Sequence, residues 1–197
     1  NGNPVITTIN AGEYYVIEGD QYSGNGNMYV QTSNPVFAYQ GVGGDGSSRA
    51  NQGLFFVPPL SCENRGDVNK IASIDKVGND TFSGEISIVT NKGAVITIND
   101  QPIASFNTVG PFDVTGNADY VTYKVTGLTG DVKIESTEEL YCAYFNKNRW
   151  ASSGSFYSGF PSSPEINFNL DIVNLGNCIP NITLNSPNSN VFDSFEW

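Results

Sequence analysis

The chain reads as an all-β protein: a duplicated β-sandwich whose jelly-roll-like halves share one unit, with little helix. Three observations carry that reading. Short runs of alternating apolar and polar residues recur along the chain, separated by Gly, Asn, Ser and Pro turn signals. Charged residues make up only 15% of the 197 positions, and glycine occurs 21 times, a composition that suits a turn-dense extracellular β-protein better than a helical cytosolic enzyme. Finally, Met28-Tyr-Val-Gln-Thr-Ser-Asn-Pro-Val-Phe-Ala-Tyr-Gln40 is echoed by Val132-Lys-Ile-Glu-Ser-Thr-Glu-Glu-Leu-Tyr-Cys-Ala-Tyr-Phe145. In both blocks an alternating run reaches a polar bend, and a second apolar run ends in Ala-Tyr plus one residue. Gly/Ser/Asn-rich loops, 41–53 and 146–154, then lead to the aromatic-then-proline segments Leu54–Pro58 and Ser155–Pro161. Internal repeats constrain architecture before any local assignment, and these define pseudo-repeats of about 1–62 and 94–166 within a module spanning 1–178.

Taken in order, Val5–Ile9 and Glu13–Ile17 flank Asn10-Ala-Gly12 and predict a first hairpin. Met28–Thr32 and Val36–Gln40 flank Ser33-Asn-Pro35, where proline excludes a central ladder position and marks a bend. Ile86–Thr90 and Ala94–Ile98 flank Asn91-Lys-Gly93, the clearest hairpin signal in the chain. Beyond Asn99-Asp-Gln-Pro102 come strands at Tyr120–Val125, Val132–Ile134 and Leu140–Phe145. Ser136-Thr-Glu-Glu139 matches a helix capping box. The first copy has Asn34-Pro35 at the matching place, which suits a bend followed by a strand, so Leu140–Phe145 is assigned as strand. After Cys178 the pattern changes. Pro180–Leu184 predicts a fresh strand and Phe192–Trp197 another, as at the start of an immunoglobulin-like module, so 179–197 reads as linker plus the first strands of a following domain.

The net charge of −11 and the nine scattered basic residues argue against nucleic acid and anionic membrane surfaces as partners. No apolar stretch approaches the roughly 18–20 residues of a membrane helix. No signal peptide opens the chain, as in a mature fragment of an exported protein or in a cytosolic one. Of the three cysteines, Cys142 lies in an apolar run as a small core residue, while Cys62 and Cys178 sit in loop-like, proline-flanked sequence. In an exported protein these two are the preferred disulfide, a link across a long loop that the chain-entropy model values at roughly 4–5 kcal/mol. Two unpaired thiols are the alternative, and no metal-type cysteine spacing exists.

Histidine is absent, which removes Ser-His-Asp and Cys-His nucleophilic systems and the usual zinc sites. Acid–base chemistry would rest on carboxylates, and glycoside cleavage needs two facing each other across a cleft. Glu138 and Glu139, as neighbours in an extended strand, would point to opposite faces. The loop Gly41-Val-Gly-Gly-Asp-Gly-Ser-Ser48 is not a phosphate loop, lacking the lysine and the following helix. No cofactor is expected and these loops read first as ordinary turns, calcium being the one alternative. Asp45 with loop carbonyls, Asp119 with Asn117, or Asp20 are its candidate ligands, although no D-x-D-x-D spacing occurs. The strongest binding signal is aromatic: Arg149 and Trp150 in the 146–154 loop precede Phe156, Tyr157 and Phe160. Such residues stack on sugars or anchor peptides, which makes Arg149, Trp150 and Tyr157 the candidate ligand contacts.

Several ordered blocks carry a family resemblance. They are Asn27-Met-Tyr-Val-Gln-Thr-Ser33, Phe37-Ala-Tyr-Gln-Gly41, Asn51-Gln-Gly-Leu-Phe-Phe-Val-Pro-Pro59, Ser87-Ile-Val-Thr90, Tyr120-Val-Thr-Tyr-Lys-Val-Thr-Gly127, Phe156-Tyr-Ser-Gly-Phe-Pro161 and Leu175-Gly-Asn-Cys-Ile-Pro180. Over roughly residues 1–180 the chain resembles a module of large surface proteins of gliding Bacteroidetes exported by type IX secretion. That module is similar to the amino-terminal domain of IgGFc-binding proteins. The resemblance implies a secreted or cell-surface, non-enzymatic part of an adhesin-like protein with adjacent immunoglobulin-like domains. It carries over no catalytic or ligand-binding residue set. The resulting expectation is a module that presents loops to a glycan or a surface protein. A structural spacer in a surface fibre is the main alternative, and a carboxylate-dependent glycan hydrolase a weaker one.

Overall fold

From Ile86 to Asn91, every second side chain turns inward: Ile86, Ile88 and Thr90 are buried while Ser87 is exposed. The two-residue period of an extended chain puts β-branched residues on one face, and that face is the floor of the core. The computed structural model describes residues 7–42, 53–60, 66–149, 151–156, 167–170 and 182–185. Its strands are β1 (Ala38–Val42), β2 (Gly53–Val57), β3 (Asp67–Ile71), β4 (Lys76–Val77), β5 (Asp80–Thr81), β6 (Ile86–Asn91), β7 (Ile96–Ile98) and β8 (Gln101–Pro102). They continue with β9 (Asn107–Val114), β10 (Asn117–Thr126), β11 (Val132–Ser136), β12 (Leu140–Lys147), β13 (Ser152–Phe156), β14 (Asn167–Leu170) and β15 (Ile182–Asn185). Helical structure among the described residues is confined to the 3₁₀ turns Gly19–Gln21 and Ile103–Ser105.

The fold is an all-β sandwich. One layer is the antiparallel sheet β13-β12-β6-β10-β9, and the other is β3-β11-β7-β8. Cross-strand rows build the inner face of the larger sheet: Cys142–Ile88–Tyr123, Leu140–Thr90–Val121 and Tyr144–Ile86–Val125. Val68, Ile71, Ile96, Ile98, Val132 and Ile134 join Ile86, Ile88, Val125, Leu140 and Cys142 in one core cluster. Thr90 is the polar member of these rows. Its hydroxyl donates to the Glu139 carbonyl at 2.5 Å and lies 3.3 Å from Ser136 Oγ, tying β6 to the bend before β12.

Asn91-Lys-Gly93 does not make the expected hairpin. Gly93 turns the chain with φ +91°, and Ala94 N donates to Asn91 O. The next strand then crosses to the other layer, where β7 pairs with β11 and β8, while β6 pairs with β10 and β12. An alternating pattern says which side chains face the core. It does not say which layer carries them, and a corner between layers satisfies the same alternation as a hairpin. The local hairpin is instead β7–β8, where Asn99 (φ 48°) and Asp100 (φ 62°) supply the left-handed pair that a two-residue turn needs. Strand β9 contains Gly110-Pro111, a sequence that reads as a break. Its place at the sheet edge leaves the missing proline N–H without cost. At Gly84 (φ +62°) a side chain would begin 1.9 Å from the Leu128 carbonyl oxygen, so only glycine lets these two segments touch.

Glu13–Ile17 and Met28–Thr32, expected as strands, belong to no sheet, and neither do residues 7–9 of the expected first strand. Tyr14, Tyr15, Val16 and Ile17 are all solvent-exposed, and β-propensity without a neighbouring ladder does not make a strand. Asn27 anchors this region. Its buried side chain donates to Asp113 O and to Thr122 Oγ1, both at 3.1 Å, and accepts from Ser23 Oγ at 2.6 Å. Leu140–Phe145 is strand as expected, within β12. The chain divides into two compact units, Asn1–Gly159 and Phe160–Trp197. In the second, β14 pairs antiparallel with β15. Cys62, Cys178 and Phe192–Trp197 lie outside the described residues.

Candidate functional site: an exposed aromatic hairpin

The echoed blocks correspond to two hairpins, β1–β2 and β12–β13. In β12–β13, Asn148 closes the tip. Its backbone N–H donates to Ala151 O at 2.9 Å, and its Oδ1 accepts from Ala151 N at 2.8 Å. A side chain that imitates a backbone turn in this way is the reason asparagine favours such tips. Arg149 is exposed there, whereas Trp150 and Tyr157 lie outside the described residues. Below the tip, Tyr144 reaches the core edge, with its hydroxyl 3.1 Å from Ser153 Oγ.

Strand β2 packs beside β13. A side chain at Gly154 would begin 3.6 Å from the Phe55 ring, in ordinary contact, and a tight 3.2 Å from the Tyr144 carbonyl oxygen, so Phe55 lies directly over the Gly154 position. With Phe55 committed to that contact, alternation turns Phe56 and Leu54 the other way. The register pairs Tyr39 with Phe56 and Gly41 with Leu54, placing Phe37, Tyr39, Leu54 and Phe56 on one face. The rings cluster around Phe56, with centroids 6.3 Å from Phe37 at 59° and 5.9 Å from Tyr39 at 69°. Yet Phe37 is 82% exposed, Leu54 74% and Tyr39 60%. Each would gain roughly 2 kcal/mol on burial, and a contiguous apolar face left in water is characteristic of a contact surface. Neither β1 nor β2 contains a charged residue. The alternation around Phe55 was the available signal, but only the packing of β2 on β13 reveals which set faces water.

Among the described residues, five carboxylates are engaged in ion pairs with lysines. Lys70 meets Asp131 at 2.7 Å, Lys92 meets Asp113 at 2.8 Å and Lys124 meets Glu85 at 3.0 Å. Lys133 bridges Asp100 at 3.1 Å and Glu135 at 3.0 Å. Glu138 and Glu139 lie in the bend before β12 rather than in a strand, and Glu139 accepts from the Tyr120 hydroxyl at 2.9 Å. Burial, then that bond and the carboxylate's charge, raise the Tyr120 phenol above its ordinary range. Of the calcium candidates, Asp119 is exposed, with its N–H on Asn117 Oδ1 and its carbonyl accepting from Lys92 N, while Asp45 lies outside the described residues. No group of three or more His, Cys, Asp or Glu side chains converges as a metal site among the described residues. Burial pushes the Cys142 thiol up to about 12, leaving it a packing residue. No helix among the described residues is long and apolar enough to cross a membrane.

No curated protein and no solved structure matches this chain. The family model for the IgGFc binding protein matches residues 1–154, a span that takes in both sandwich sheets and both echoed hairpins up to the middle of β13; the chain belongs to that family.

Proposed function

We propose that the chain is a non-enzymatic, extracellular recognition module of a large cell-surface adhesin, and that it binds protein through the aromatic face of β1–β2. The observation that carries this reading is the exposure of Phe37, Tyr39 and Leu54 around a half-buried Phe56. Rings tilted by 59° and 69° make a knobbed apolar surface suited to side chains, whereas sugar stacking favours a flat ring face. The family description supports protein as the ligand class, and the low-charge, turn-rich composition supports the extracellular setting. Export by type IX secretion and a place in a gliding Bacteroidete surface protein belong to the same proposal, through the resemblance described above. Arg149, with Trp150 and Tyr157, forms its second contact region, the one suited to glycan.

The test is capture of the chain on immobilised immunoglobulin Fc and on a glycan array, each with calcium and with chelator. Capture on Fc that is lost in a Phe37→Ser/Tyr39→Ser variant and kept in Trp150→Ala supports the reading. A calcium-insensitive glycan signal lost in Trp150→Ala and kept in the double variant would replace it with a lectin-like one. Absence of capture on every surface would leave the spacer.

A further inference from the structure

Among the described residues, strand β1 is an open edge. Ala38, Tyr39, Gln40 and Gly41 are all exposed, and among the described residues β1 pairs with β2 alone. Natural edges are guarded by lysine, proline, bulges or a covering segment. Within β1 there is no lysine or proline, and its register with β2 runs unbroken from Ala38 to Val42. We infer that β1 pairs edge-to-edge with β1 of a second copy of this chain, the two related by a two-fold axis through Gln40. This rests on reading the β1–β2 face as a recognition surface and names its partner.

The sequence of β1 is self-complementary in that arrangement. Antiparallel pairing centred on Gln40 sets Tyr39 of one copy opposite Gly41 of the other, and the reverse. An aromatic ring laid across a cross-strand glycine fills the gap the glycine leaves. Leu54 already flanks that gap: its Cδ2 is 3.8 Å from where a Gly41 side chain would begin. The established pairs Gly41–Leu54 and Tyr39–Phe56 therefore extend into one apolar row crossing both copies, Leu54–Gly41–Tyr39–Phe56, repeated in mirror order by the two-fold.

Charge selects the same place. Each copy carries −11, so most pairs of surfaces would juxtapose like charges, but β1 and β2 carry none. The exposed parts of Phe37, Tyr39 and Leu54 offer roughly 400 Å² per copy, or about 800 Å² in all. That is below the roughly 1,200–2,000 Å² of a stable complex, so the pair is weak and reversible.

Sedimentation equilibrium of the 197-residue chain between about 5 μM and 500 μM tests the inference. The expected result is a monomer–dimer equilibrium. Tyr39→Lys, which brings a cation into the row, and Gly41→Val, which blocks the seat of the opposing ring, weaken it by about tenfold or more. Val109→Lys, at an exposed apolar position on β9, leaves it unchanged. Far-UV circular dichroism confirms that each variant is folded. A chain that is monomeric throughout, or a dimer indifferent to both β1 variants, overturns self-pairing. Either outcome leaves Fc or glycan capture to be decided by its own assay.

Discussion

Asn146 is a buried side chain that bridges separate elements. It lies in β12, 1% exposed, and its amide serves two other segments. Nδ2 donates to the Ile74 carbonyl at 2.6 Å, and Oδ1 accepts from Glu85 N at 2.7 Å. Both partners are backbone groups flanking the β4–β5 hairpin, so the amide sews that excursion back onto the large sheet. Asn146→Ala leaves both groups unpaired away from water, at about 1–3 kcal/mol each. Some relaxation toward solvent on the half-buried Glu85 side brings the expected loss to about 3–4 kcal/mol, a large fraction of a typical domain's 5–15 kcal/mol. Urea unfolding should show it as a lower midpoint with an unchanged slope. Asn107→Ala removes an exposed amide–hydroxyl bond of 2.6 Å to Thr126 and should cost under about 0.5 kcal/mol. Asn146→Asp adds a sign test. The site offers a buried carbonyl that only a protonated carboxyl can donate to, so the folded state raises that pKa above the unfolded value. The variant's penalty is then least below the unfolded pKa and grows by about 1.4 kcal/mol per pH unit as pH rises toward the folded one. A loss under about 1 kcal/mol for Asn146→Ala, or a pH-independent Asn146→Asp, would refute the bridging role.

Two further outcomes are expected. The Cys142 thiol, fully buried and pushed up to about 12, should resist alkylation by iodoacetamide at pH 8 in the native chain and react at an ordinary rate in denaturant; labelling read by peptide mass spectrometry checks this, and fast native labelling would refute its burial. The Asp131 carboxyl is held below its usual range by its bond from Lys70 and by Ser73 N–H, so its contribution is present above the unfolded pKa and lost as pH falls through the folded one. Asp131→Asn should therefore flatten the acid limb of a thermal-stability profile below the unfolded carboxylate pKa of about 3.9, and an unchanged limb would refute the assignment.

Side-chain alternation makes much of the core legible in the sequence. Ile86, Ile88, Ile96, Ile98, Val132, Ile134, Leu140 and Cys142 sit inside because the two-residue period of a strand admits only one inward set. The choice of strand over helix for Leu140–Phe145 rested on the echo with Val36–Gln40, and both segments enter strands that open hairpins. Glu13–Ile17 shows the limit: its pattern is as strand-like as that of Ile86–Thr90, yet it has no ladder beside it. Hydrogen-bond partners are supplied by other parts of the chain, and a local pattern cannot count them.

The site divides along the same line. Composition, charge and the blocks shared with a known family are properties of residue identity, so the all-β class and the family followed from them. Which aromatics meet water did not. Phe55 and Phe56 are adjacent and chemically identical, and only the packing of β2 against Gly154 of β13 turns the first toward the protein and the second toward Phe37 and Tyr39. The sequence by itself determined the period and chemistry of each strand, because backbone geometry and side-chain polarity are local. The layer, the edge and the outward face were decided by tertiary structure, because each depends on which distant strand lies alongside.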